Sequence, residues 1–105
     1  MVRMDPNRFK ARLLKALADP IRLKILQILQ KKEMCVNEMV TALKIKQPLV
    51  SRHLKILKDH GIVADRKEGN RRIYRVTDPS IFKIINSIPP DLIDHLSKRI
   101  IEAKI

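Results

Sequence analysis

A winged helix-turn-helix, mainly α with one small β-hairpin, is the fold class this sequence predicts. Three observations predict it. Apolar residues recur at helical spacing through most of the chain, and the period falls to near two only after Gly61. Just before that switch, two short helical patterns are separated by a three-residue connection, Lys44-Ile45-Lys46. With 105 residues the chain has the length of one domain, and no internal repeat, linker or low-complexity stretch divides it.

Punctuation by proline and glycine sets the elements in order. Asp-Pro occurs at Asp5-Pro6, Asp19-Pro20 and Asp78-Pro79. Each pair offers a side-chain acceptor for orphan amides and then a proline where no N–H is needed. The first helix is expected over about Pro6 to Leu17, with Phe9, Leu13, Leu14 and Leu17 as its apolar stripe. The second, about Pro20 to Gln30, turns Ile21, Ile25, Ile28 and Leu29 inward. Met34-Cys35-Val36 reads as a short extended stretch, after which Asn37 is expected to cap a helix over Glu38 to Leu43 with Met39, Val40 and Leu43 inward. A fourth helix runs from about Pro48 to His60 and ends at Gly61. Strands are expected from Ile62-Val63-Ala64 and over Ile73 to Val76, joined through Glu68-Gly69-Asn70. The tail is helical from Pro79 until Pro89-Pro90 breaks it near Ile88, and a last helix covers about Asp91 to Lys104. Its Leu92, Leu96 and Ile100 recur at i, i+4 and i+8, flanked by Ile93 and Ile101.

Composition removes several classes. A hydrophobic content of 45% is too high for a disordered tail, and the longest apolar runs are only a few residues, so no membrane partner is expected. The start, MVRMDPNRFK, has no apolar core of a secretory signal. The single cysteine cannot close an internal disulfide, which suits a reducing, cytoplasmic location. Net charge is +12, and the segment 44–75 alone holds ten basic and three acidic residues, a net +7. Clustering of that kind points to a polyanionic partner, double-stranded nucleic acid first.

Projection of the fourth helix at 100° per residue separates its duties. Val50, Leu54 and Leu57 fall on one face and should be buried, whereas Gln47, Ser51 and Lys55 fall on the opposite face with Arg52 beside them. Glutamine can pair bidentately with adenine, arginine with guanine, and serine with base or phosphate, while Pro48 and Leu49 can touch a thymine methyl. The expected DNA-contacting set on this helix is Lys46, Gln47, Pro48, Ser51, Arg52 and Lys55. The hairpin adds Arg66, Lys67, Arg71 and Arg72 around a thin Gly-Asn tip, suited to a phosphate backbone or a minor groove. A solubilising edge hairpin is the alternative for those four.

The run LLKALADPIRLKILQIL, then EMCVNEM, QPLVSRHLKILKDHGIV and EGNRRIYRV, resembles the ArsR/SmtB family of prokaryotic repressors over residues 9–77. The resemblance implies a homodimer, with residues 1–18 and 79–105 pairing through Phe9, Leu13, Leu92, Leu96 and Ile100. It also implies that residues 36–60 form the helix-turn-helix and 61–77 the wing, both facing DNA. Gln47, Pro48, Ser51 and Arg52 match the family's DNA-contacting positions, and helical projection selects the reading face independently. His53, in the SRHL run, is expected to pack between helices.

Ligands of the family's metal sensors are incomplete here. The arsenic-sensing type has two cysteines one residue apart, but Asn37 stands where the second would follow Cys35. One thiolate holds a soft ion poorly, and Cys35 is read as a small packing residue. The zinc-sensing type resembles Asp-x-His followed by His-x-x-Glu. The tail offers Asp91, Asp94, His95 and Glu102, with Arg99 where the second histidine is sought. The two aspartates also suit a helix's first turn. No metal site and no cofactor are therefore expected, and the effector, small molecule or metal, stays open.

Other functions find less support. Ser51 and His53 are two apart on a helix and point about 200° apart, so they form no nucleophile–base pair, and two glycines make no phosphate-cradling loop. No enzyme is expected. Three aromatic residues, Phe9, Tyr74 and Phe82, make a poor stacking platform for single strands. The alternatives to a sequence-specific regulator are a winged-helix module for RNA or protein and a sequence-tolerant architectural DNA binder.

Overall fold

The computed structural model describes residues 5–104; residues 1–4 and 105, part of the terminal segments expected to dimerise, lie outside the described residues. The order is α1 (Pro6–Leu17), α2 (Pro20–Lys31), α3 (Val36–Leu43), α4 (Gln47–Asp59), β1 (Val63–Glu68), β2 (Arg71–Val76), α5 (Ser80–Ile85) and α6 (Pro90–Ala103).

The aspartates before proline accept nearby amides as expected, although α5 starts one residue late, at Ser80 with Pro79 as its N-cap. Asp5 Oδ1 accepts from the Asn7 N–H at 3.2 Å, Asp19 Oδ1 from those of Ile21 and Arg22 at 2.8 and 3.2 Å, and Asp78 Oδ1 from that of Ser80 at 2.8 Å. Burial pushes the Asp19 carboxyl up, but the Arg22 and Ile21 amides and the nearby His53 and Arg22 more than reverse this and hold it below the usual carboxylate range. At the end of α4, Gly61 takes φ +74°. Its N–H bonds to the Lys58 carbonyl and that of Ile62 to the Leu57 carbonyl, both at 2.9 Å. That crossed pair closes the helix, and the left-handed residue it requires is one glycine supplies at no steric cost.

Several ends differ by one residue and β2 starts at Arg71 rather than Ile73; three further features depart from the sequence expectation. Asn37 does not cap α3; the helix starts at Val36 with Cys35 as its N-cap. The Glu38 carboxylate, three residues on, reaches back to accept from the Cys35 N–H at 3.1 Å, and this anchor outcompetes the local preference of asparagine. The Cys35 backbone and side chain, with Lys32, lower the Glu38 carboxyl to about 2. The extended stretch shrinks to one rung, in which Met34 and Tyr74 exchange N–H···O bonds at 2.8 and 3.2 Å beside β2. Finally, α5 stops at Ile85, short of Ile88. The Ser87 hydroxyl donates to the Ile84 carbonyl at 2.6 Å there, and Pro89 disfavours helical backbone at Ile88.

The core lies among α2, α3, α4 and the root of the hairpin. Ile25, Leu26, Met39, Val50, Leu54, Leu57, Ile62 and Val63 are its fully buried members. β1 and β2 pair antiparallel from Val63 opposite Val76 to Glu68 opposite Arg71, turning through Gly69 at φ +63° and Asn70. Around this centre the ends are bare. Phe9 and Leu14 of α1 are exposed, and no residue of α6 is buried.

Candidate nucleic-acid interface

The reading motif is fixed from its hidden side. Val50, Leu54 and Leu57 anchor α4 in the core, and His53 is 5% exposed between helices, as its packing role requires. The Arg22 Nε–H donates to His53 Nδ1 at 3.1 Å, and Arg22 Nη1 donates to the Ala16 carbonyl at 3.1 Å. Asp19 stands 3.9 Å from the same ring nitrogen. Thus α1, α2 and α4 are tied by one polar chain, which fixes the roll of α4 about its axis.

The opposite face of α4 is open. Gln47 Nε2 donates to Ser51 Oγ at 2.7 Å, which aligns the two side chains one turn apart. Lys55 pairs with Asp59 at 3.2 Å. Arg52, Lys46 and Pro48 are exposed, and Pro48 and Arg52 line a cleft shared with α2. The α4 outer face can therefore offer an amide, a hydroxyl and a guanidinium side by side to the edges of base pairs.

On the hairpin the arginines do not stand as a bare positive tip. Arg66 pairs with Glu33 and, at 3.2 Å, with Glu68; Arg71 pairs with Glu38; Arg72 pairs with Asp65 at 2.8 Å. Asp65 also takes Lys58 at 2.7 Å, and its side chain is only 4% exposed. The Lys58 contact first, and Arg72 after it, hold this carboxyl below its ordinary range against the effect of burial. The Arg71 guanidinium meets the Glu38 carboxylate, which favours its charge. Lys67 is the one wing cation of the four without an acidic partner among the described residues. The more open pairs, those of Arg66 and Arg71, are each worth about 0–1 kcal/mol, so a phosphate can compete for these two arginines. Glu33 and Glu38 were not legible as wing partners, because each lies 33 positions from its arginine, whereas Asp65 belongs to β1 and meets Arg72 across the hairpin.

Of the other residues considered, Cys35 is buried and Asp91, Asp94, His95 and Glu102 are exposed along α6. Among the described residues, no three His, Cys, Asp or Glu side chains gather to hold a metal ion, and no helix is long and apolar enough to cross a membrane.

A helix-turn-helix with an exposed polar reading face, followed directly by a basic hairpin, defines the winged helix-turn-helix class of regulator domains. Residues 19–65 match the family model described as bacterial regulatory protein, arsR family. The chain is 43% identical over 86 residues to an uncharacterised HTH-type transcriptional regulator of Methanocaldococcus jannaschii, covering 81% of this chain and 97% of that one. It is 45% identical over 73 residues to the HTH-type transcriptional repressor SmtB of Mycobacterium tuberculosis, 70% of this chain but only 54% of that protein, so it spans about half the length of that relative. Among solved structures, a homodimeric winged helix-turn-helix DNA-binding domain from Mycobacterium bovis superposes with a TM-score of 0.68 at 28% identity, covering 98% of this chain and 95% of that one. The chain belongs to the ArsR/SmtB family of transcriptional regulators.

Proposed function

We propose that this chain is a sequence-specific repressor that binds double-stranded DNA as a homodimer on an inverted repeat. The observation that carries this reading is the two-sided α4, locked into the core by Val50, His53, Leu54 and Leu57 while Gln47 and Ser51 are aligned outward. Gln47, Ser51 and Arg52 read base edges, Pro48 touches a thymine methyl, and Lys46 and Lys55 approach phosphates. Arg66, Lys67, Arg71 and Arg72 follow the backbone from the wing, Arg66 and Arg71 exchanging carboxylate for phosphate partners. Residues 36–60 are the reading motif, 61–77 the wing, and the terminal helices the dimer contact.

Support for dimerisation comes from Phe9, Leu92, Leu96 and Ile100, large apolar side chains left exposed within one chain, with half-buried Leu13 beside them. Two-fold symmetry then spaces the half-sites by about one turn of DNA, ~34 Å. A role in binding rather than catalysis is favoured because Ser51 is engaged by Gln47 and His53 by Arg22, so neither serves the other as a base. DNA as partner implies a cytoplasmic location, and Cys35 serves packing rather than metal sensing.

Competition among duplex DNA, duplex RNA and single strands, with sedimentation of each complex, tests the reading. Preference for duplex DNA with two protomers per site is expected. A monomer on each site, or preference for RNA, would contradict it.

A further inference from the structure

Between the first turns of α2 and the α3–α4 connection lies an open cleft of about 690 Å³, floored by Ile45 and Leu49. Lys24 enters it from α2, Lys44 and Lys46 from the connection, and Arg52 from α4. All four cations are exposed, no acid lines the cleft, and none of the four has an acidic partner among the described residues. The wing is the reverse case, since Arg66, Arg71 and Arg72 each carry a carboxylate already. A concave wall of one sign concentrates potential and draws an anion, whereas an arginine already holding a carboxylate must share or surrender it first.

Lys44 adds a second observation. Its backbone sits at φ 55°, ψ 41°, the left-handed conformation that glycine adopts at no steric cost and a lysine does not. The Lys44 N–H bonds to the Val40 carbonyl at 2.9 Å, and the left-handed residue then ends α3 and turns the chain towards α4. Lys44 is the one non-glycine residue with positive φ among the described residues, and its side chain lines the cleft. The N-cap of α4, Lys46, offers no side-chain acceptor to the first-turn amides, so the positive end of the helix opens on the same space.

We infer that this cleft seats a backbone phosphate of duplex DNA beside the reading helix, with Lys24 and Lys44 as its anchors. These two lysines then carry more of the salt dependence of binding than the paired wing arginines. The inference rests on the DNA-binding reading above and adds to it two residues that no base contact requires.

Affinity for duplex DNA measured against salt concentration is the test. Each phosphate that a cation neutralises adds about 0.9 to the slope of log affinity against log salt. With one phosphate in the cleft of each protomer, two in the dimer, the Lys24→Gln/Lys44→Gln variant should lower that slope by about 1.8. The Arg66→Gln/Arg71→Gln variant should lower it by less than about 0.9. Lys44→Gly separates charge from folding: it should melt at or above the wild-type temperature and still bind DNA more weakly. In the wild type, bound duplex should protect Lys24 and Lys44 from acetylation while Lys83 stays reactive. Tight duplex binding with an unchanged slope in Lys24→Gln/Lys44→Gln, and no lysine protection, would overturn the cleft and leave the DNA reading standing. Absence of salt-dependent duplex binding by the wild type would overturn both.

Discussion

In α4, Val50, Leu54 and Leu57 recur at i, i+4 and i+7, and none is more than 1% exposed; in α6, Leu92, Leu96 and Ile100 recur at i, i+4 and i+8 and are 40%, 47% and 58% exposed. The two helices carry the same kind of apolar stripe and differ only in what lies opposite it. The stripe of α4 meets α2, α3 and the hairpin root, whereas no residue of α6 is buried among the described residues. An amphipathic pattern therefore specifies which side of a helix seeks apolar cover, and it is silent on which molecule supplies it. The helix-turn-helix is finished within one chain. The terminal helices are unfinished, and a second copy completes them in the function proposed above.

Mutation can break this comparison, most strongly at the finished end. Leu54→Ala opens a cavity under the reading helix and should cost about 2–5 kcal/mol in denaturant unfolding, at any protein concentration. Leu96→Ala should cost about 1.5–3 kcal/mol of dimer association per protomer, read as a dissociation constant that rises by a factor of about a hundred or more. Relative to the wild type, its loss of stability should vanish at concentrations low enough to separate the protomers, whereas that of Leu54→Ala should persist. Equal losses at every concentration for both variants would erase the distinction between the two stripes.

Finer changes sharpen it. Gln47→Ala removes a side chain that packs against nothing buried, so stability should hold while affinity for the preferred duplex falls by about 1–3 kcal/mol. The smallest effect concerns acid. Glu38 has a carboxyl lowered from 4.5 to about 2, so its contribution to folding is fully present above pH 4.5 and is lost as pH falls towards 2. Glu38→Gln should flatten the pH dependence of the melting temperature within that window and leave its slope near neutral pH unchanged.

Features set by neighbours along the chain were legible in the sequence. The Asp-Pro caps, Gly61 and the Gly69-Asn70 turn all appear where the residues place them, because each depends on bonds within about five residues. The two faces of α4 were legible for the same reason. What escaped depends on distant partners. Arg66 meets Glu33 and Arg71 meets Glu38, in each case 33 positions away, and Met34 pairs with Tyr74 only after the hairpin has folded back. The true start of α3 lay between these cases: the Cys35-x-x-Glu38 spacing was present, but Asn37 offered a stronger residue preference and drew the boundary two positions late. Lys44 stood at the edge of the basic segment 44–75 and Lys24 outside it, and their sharing of one cleft depends on α2 meeting the α3–α4 connection.

Enrichment of random duplexes by the wild-type protein tests the central claim most directly, because it requires the reading helix and the completed dimer together. Bound sequences should converge on an inverted repeat with half-sites centred about one helical turn, ~34 Å, apart. Convergence on a single unrepeated motif, or retention of duplexes without any shared sequence, would contradict the account.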